Sequence, residues 1–181
     1  GRLVMIDMEA SPYLDRTLEI FRSYRARTER IGLCLQAYLR RTPQDLFGLP
    51  EASIVRLVKG AYLESPEIAL TSRKDVDRAF VRLAATVLAR GHVLHAATHD
   101  PELVEGLSRR MRDGSVAASR IEFQMLYGIR RDLQVSLAAD GAPVRVYVPY
   151  GTEWYPYLTR RLAERPANLW FFLSNLLRSG R

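Results

Sequence analysis

The chain has 181 residues, 48% hydrophobic and 26% charged, a balance that suits one soluble globular domain and excludes a disordered chain. Its formal net charge of +7 comes from 27 Lys and Arg against 20 Asp and Glu; only Lys59 and Lys74 are lysines, and the basic balance points only weakly to anionic partners. The single Cys34 excludes an intramolecular disulfide and a CxxC zinc site, which suits a reducing interior, and no apolar run approaches the ~18 residues of a membrane-spanning helix.

The first residues, GRLVMIDME, read as a buried strand with no lead-in, so the polypeptide is expected to begin inside a domain. A helix follows over Tyr13 to Tyr24, opened by Ser11-Pro12. IGLCLQAY is the second strand, Pro43 to Leu49 a short helix, and SIVRLVKGAY the third strand. Ser72 to Arg90 carries the longest helical pattern, stopped by Gly91. HVLHAAT, then a helix over Pro101 to Met111, then RIEFQMLYG, then a helix over Arg131 to Ala139 ended by Asp140-Gly141, continue the alternation. The last strand is VRVYVPYG; a helix over Trp154 to Glu164 and the segment ANLWFFLSNLLR complete the chain, with Trp170, Phe171 and Phe172 read as helix packing.

The strands are near-continuous apolar runs, as expected where both faces are covered, and strand and helix alternate six times. An α/β parallel sheet results. A doubly wound dinucleotide-binding sheet would show G-x-G-x-x-G after an early strand, and the sequence has none. The remaining choice is a (β/α)8 TIM barrel, apparently incomplete, built here from the last six βα units.

Barrel chemistry sits at the carboxyl ends of the strands, and polar residues gather there. In chain order they are Asp7 and Glu9, Gln36 and Tyr38, Arg56, Lys59 and Tyr62, then Thr98, His99 and Asp100, then Gln124 and Tyr127, then Tyr147 and Tyr150. Arg56 lies inside IVRLV, where an unpaired guanidinium carries a large desolvation cost, so it needs a partner. Asp7 and an electron-rich cofactor ring are both candidates, and a plain barrel-core salt bridge is the alternative. His95 and His99 are four apart on a strand, which is not a metal-ligand spacing; His99 is read as bonding something bound at the rim, and His92 and His95 as packing residues. No metal is expected.

Positions 157, 160, 161 and 164 share one face of the helix after the last strand, and that face holds Tyr, Arg, Arg and Glu. It is either a solvated face with an Arg160 to Glu164 pair or two guanidiniums converging on a carboxylate ligand.

Four strings in order, RLVKGAY at Arg56 to Tyr62, ATHD at Ala97 to Asp100, EFQMLYG at Glu122 to Gly128, and YLTRRLAERPAN at Tyr157 to Asn168, resemble the motifs of the proline dehydrogenase family. The resemblance runs essentially end to end. It implies a single barrel domain over 1–181, truncated at the N-terminus, with the last helix lying over the barrel mouth as a lid. It also implies FAD-dependent oxidation of L-proline to 1-pyrroline-5-carboxylate by hydride transfer to flavin N5, electrons passing to a quinone, in proline catabolism.

Carried over motif by motif, Asp7 and Arg56 are catalytic. Arg160 and Arg161 hold the proline carboxylate, and Tyr62, Tyr147, Tyr157 and Glu164 shape the substrate pocket. Met8, Gln36, Arg56, Lys59, Gly60, Ala61, Thr98 and His99 contact the flavin. Implied partners are L-proline, a quinone acceptor and a functional link to a pyrroline-5-carboxylate dehydrogenase, for a cytoplasmic protein with peripheral contact at the inner membrane surface and no nucleic acid. Asp100 stands where many members have Asn, and no residue matches the family's substrate-contacting lysine on an earlier strand, so the chain alone is expected to be inactive. Two other readings are a Schiff-base aldolase using Lys59 and a basic nucleic-acid-binding module built on RSYRARTER.

Overall fold

In the computed structural model, which describes residues 2–148 and Gly151, each near-continuous apolar run becomes a strand and each amphipathic run a helix. In chain order they are β1 (Val4–Ile6), α1 (Leu14–Arg25), β2 (Ile31–Gln36), α2 (Thr42–Phe47), β3 (Ile54–Val58) and α3 (Arg73–Ala89). After these come β4 (Val93–Ala97), α4 (Pro101–Arg112), β5 (Ile121–Leu126), α5 (Arg131–Ala139) and β6 (Val144–Tyr147). The helix expected over Trp154 to Glu164 and the segment after it lie outside the described residues.

Two single 3-10 turns, Ser11–Tyr13 and Ala118–Arg120, were not legible in the pattern, since one turn is too short to show a period. The strands also stop short of the apolar runs that announced them. β3 ends at Val58 because Gly60 takes φ +122, which no strand residue adopts, so Lys59 to Tyr62 leave as a rim loop.

All six strands are parallel and stand in the order β1-β2-β3-β4-β5-β6. An order that never reverses has no switch point, so right-handed crossovers deliver every helix to the same face. The opposite face then escapes water only by curling inward, which makes the sheet an arc of a (β/α)8 barrel. Among the described residues β1 and β6 are edges, each paired on one side, and six strands leave the barrel incomplete.

The apolar core lies between the sheet's outer face and the helices. Leu33, Leu35, Val55, Leu57, Leu94, Ala96, Phe123 and Met125 point that way and are buried. Against them α1 presents Leu14, Leu18 and Phe21, α3 presents Val76, Phe80, Leu83 and Val87, and α4 presents Leu103, Val104 and Leu107, each set at helical spacing. Full burial of such a side chain contributes about 1.5–3 kcal/mol, so this layer holds the arc together and leaves the inner face free for polar residues.

Candidate active site

The strand registers decide which residues line the inside. Cys34 stands opposite Arg56, Arg56 opposite His95, and His95 opposite Glu122, while Gln124 stands opposite Arg145 and Leu126 opposite Tyr147. Side chains alternate along a strand, so Asp7, Cys34, Gln36, Arg56, His95, Glu122, Gln124, Arg145 and Tyr147 share the inner face. Met5 opposite Gly32 confirms the parity, because a Cβ at Gly32 would lie 2.6 Å from Met5 Cε. Barrel interiors are normally filled by branched apolar residues; here Ile54, Val58, Val93 and Leu126 share the inner face with this set of polar ones.

Six of them, Asp7, Arg56, His95, Glu122, Gln124 and Arg145, form one connected chain. Arg56 Nη1 donates to Asp7 Oδ1 and its Nε donates to Gln124 Oε1 at 2.7 Å. Gln124 Nε2 donates to Glu122 Oε1 at 2.7 Å and lies 2.8 Å from His95 Nδ1. Arg145 forks the same Glu122, Nε to Oε1 at 2.7 Å and Nη2 to Oε2 at 2.8 Å. Burial alone would push the Glu122 carboxyl up, but the hydrogen bonds from Arg145 and Gln124 outweigh it and hold the group below the usual carboxylate range. Burial pushes the His95 imidazole down; the Glu122 charge opposes this, and Arg145 and Arg56 add to it. Arg56 therefore has the partner that its desolvation cost demanded, and its side chain remains 20% exposed toward the interior.

Cys34 lies on the same face and is inert. Burial and then the Asp7 charge push its thiol up to about 12.

The rim loops are tied to one another. Gln36 Nε2 donates to Glu9 O at 2.9 Å and Met8 O at 3.3 Å, which fixes the loop after β1. Tyr62 Oη donates to Glu9 Oε2, and Glu64 accepts from Ser11 N at 2.7 Å and Ser11 Oγ at 2.8 Å, so the loops after β1 and β3 are latched together. Gly60 is required there, because any Cβ would run into the Tyr38 ring.

Lys59 Nζ sits 2.5 Å from Asp77 Oδ1 and 2.7 Å from Asp100 Oδ2. Asp100 also caps α4 by accepting from Glu102 N, which joins β3, α3 and α4 at one point. A Schiff-base lysine must present a free amine to its carbonyl substrate, and this one is engaged by two carboxylates. That corrects the aldolase reading of Lys59. Thr98 Oγ1 accepts from Asp100 N at 3.1 Å, and His99 Nε2 accepts from Leu126 N at 2.9 Å. His99 is thus also a clamp between β4 and β5.

Of the residues singled out in the sequence, Asp7, Gln36, Arg56, Gln124 and Tyr147 come together on the inner face. Met8, Lys59, Gly60, Ala61, Tyr62, Thr98 and His99 lie in the rim segments that follow β1, β3 and β4. Tyr157, Arg160, Arg161 and Glu164 lie outside the described residues. His92 is buried and its Nδ1 accepts from Ser53 N at 3.1 Å, a packing role. His95 is not a plain packing residue: it belongs to the polar chain, because its register places it between Arg56 and Glu122. Glu122, Arg145 and Asp77 were missed as site residues. The signal for the first two was the polar alternation Glu122, Gln124 on a strand whose other residues are apolar. Among the described residues no group of three or more His, Cys, Asp or Glu is placed to hold a metal ion, and no helix is long and apolar enough to cross a membrane.

A sequence profile described as proline dehydrogenase matches residues 1–173. Proline dehydrogenase 2 of Bacillus subtilis strain 168 is 42% identical over 170 residues, covering 93% of this chain and 56% of that protein. Proline dehydrogenase of Deinococcus radiodurans is 41% identical over 181 residues, covering 98% of this chain and 58% of that protein. The chain therefore spans somewhat over half the length of these relatives. Among solved structures, proline utilization A from Bdellovibrio bacteriovorus, inactivated by N-propargylglycine, superposes with a TM-score of 0.78 at 26% identity, covering 88% of this chain and 19% of that one.

Proposed function

Because the chain belongs to the proline dehydrogenase family, we propose that its polar inner face is the floor of a flavin site at which L-proline is oxidised to 1-pyrroline-5-carboxylate. The observation that carries this reading is Arg56, held between Asp7 and Gln124 inside the barrel, two residues from the carboxyl end of β3 where barrel chemistry is done.

The donor set suits FAD. An isoalloxazine edge offers both carbonyl acceptors and a ring N–H donor. Gln36 Oε1 is a buried acceptor with no partner among the described residues, matching the donor, and the part-exposed Arg56 guanidinium matches the acceptors. When bound, the flavin would supply a two-electron acceptor for the hydride that leaves C5 of proline, the carbon beside nitrogen that does not bear the carboxylate.

The protein's own residues orient and stabilise. Arg56 places a fixed positive charge where negative charge grows, and Asp7 holds the guanidinium in position from β1. Lys59, Gly60, Ala61, Thr98, His99 and Met8 form the rim against the flavin; the Tyr62 to Glu9 bond ties the loops after β1 and β3 together beside it. Tyr147 lines the proline pocket, and Arg160 and Arg161 grip the substrate carboxylate with Tyr157 and Glu164 beside them. No side chain needs to act as a nucleophile, since orienting the substrate ring against the acceptor is the main requirement. Electrons then pass to a quinone, which calls for a cytoplasmic protein touching the inner membrane surface peripherally. The product feeds a pyrroline-5-carboxylate dehydrogenase.

The test is the visible spectrum of the intact protein carrying this sequence. It is expected to be yellow and to bleach on anaerobic addition of L-proline. A colourless protein that turns over proline, or a yellow one that proline leaves oxidised, contradicts the reading.

A further inference from the structure

An arginine anchored at one end of its fork still swings about the bond to Nε, so a site that depends on its plane needs a second anchor. We propose that Gln124 is the positioning residue of Arg56, and that Glu122, His95 and Arg145 serve to point the Gln124 oxygen at it. The role assigned to Arg56 under Proposed function gives this its consequence; the geometry stands without it.

The argument starts from the ambiguity of an amide. The oxygen and nitrogen of a Gln side chain are nearly the same size, and a flip exchanges acceptor for donor. With the oxygen toward β3, Gln124 accepts the Arg56 Nε–H at 2.7 Å, and its Nε2 meets Glu122 Oε1 at 2.7 Å. Flipped, it would set N–H against N–H at Arg56 and oxygen against a carboxylate at Glu122. Both contacts would be repulsive, so Glu122 dictates the direction of the amide. Arg145 forks Glu122 through two bonds and keeps its carboxylate in place.

His95 enforces the same direction from β4. Its Nδ1 lies 2.8 Å from Gln124 Nε2, which is a donor, so Nδ1 must be the acceptor and the ring proton must be on Nε2. A proton on Nδ1 would press a donor against the amide nitrogen and turn the oxygen away from Arg56. Three side chains on three strands thus fix the direction of one oxygen, and that oxygen meets the one guanidinium nitrogen about which the fork rotates. Asp7, immediately after β1 with its side chain 64% exposed, holds the other end less firmly.

The experiment compares wild type with Gln124→Met, which keeps the length and removes the acceptor. In flavin-free protein, the NMR signal of the Arg56 Nε–H is expected to exchange slowly with water in wild type. Exchange should be about tenfold faster in Gln124→Met, the factor for one hydrogen bond of ~1.4 kcal/mol. Equal exchange in wild type and Gln124→Met overturns the proposal. Ring nitrogen shifts of His95 in wild type provide a check that needs no variant: Nδ1 is expected unprotonated, and a proton found there overturns the proposal as well. In flavin-loaded protein the reduction potential of Gln124→Met is expected to shift. Faster exchange with an unmoved potential would uphold Gln124 as the anchor and count against Arg56 as the flavin's partner.

Discussion

Replacing Arg56 with Met is expected to lower kcat/KM for proline by about a hundredfold or more, the usual range for removing a fixed charge aimed at charge development. The variant should stay folded, because Asp7 is solvated enough to stand alone and Gln124 keeps Glu122 as a partner. Arg56→Lys is expected to recover little, since an ammonium cannot meet Asp7 and Gln124 with two separate nitrogens as the guanidinium does. Steady-state kinetics beside a thermal melt checks this. An Arg56→Met enzyme within threefold of wild type would reduce the Asp7 to Arg56 pair to barrel-core structure.

The second large effect is expected at the arginine doublet. Met in place of Arg160 or Arg161 should raise KM for proline by about 10- to 100-fold each, the worth of a charge-assisted hydrogen bond of ~1.5–3 kcal/mol, with kcat changed much less. Such a split marks a group that binds the carboxylate equally before and during the reaction. Unchanged saturation in both variants would leave the carboxylate grip without support and restore the solvated-face reading of that segment.

The two predictions rest on differently legible parts of the molecule. Strands and helices were readable because burial writes its own period: β2 is buried at all six positions and appears as an unbroken apolar run, and α3 repeats its core residues every three or four. The barrel-like order followed from alternation without a phosphate-binding turn. Arg56 was readable as a residue needing a partner, since a charge inside IVRLV has no other solution, and Asp7 was a sound candidate. Gln124 as the second partner was not readable, nor was the support from Glu122, His95 and Arg145. Their meeting depends on the registers of β4, β5 and β6 against one another, which no single strand encodes. Lys59 shows the same limit: its strand-end place was visible, but the carboxylate of Asp77 reaches it from a helix.

These parts meet in one claim, that the inner face around Arg56 serves hydride removal from C5 of proline, the carbon beside nitrogen that does not bear the carboxylate. Anaerobic flavin reduction by proline deuterated at C5, compared with proline deuterated at the α-carbon, tests it most directly. The account predicts several-fold slowing with the first label and none with the second. Slowing with the α-carbon label instead would contradict it.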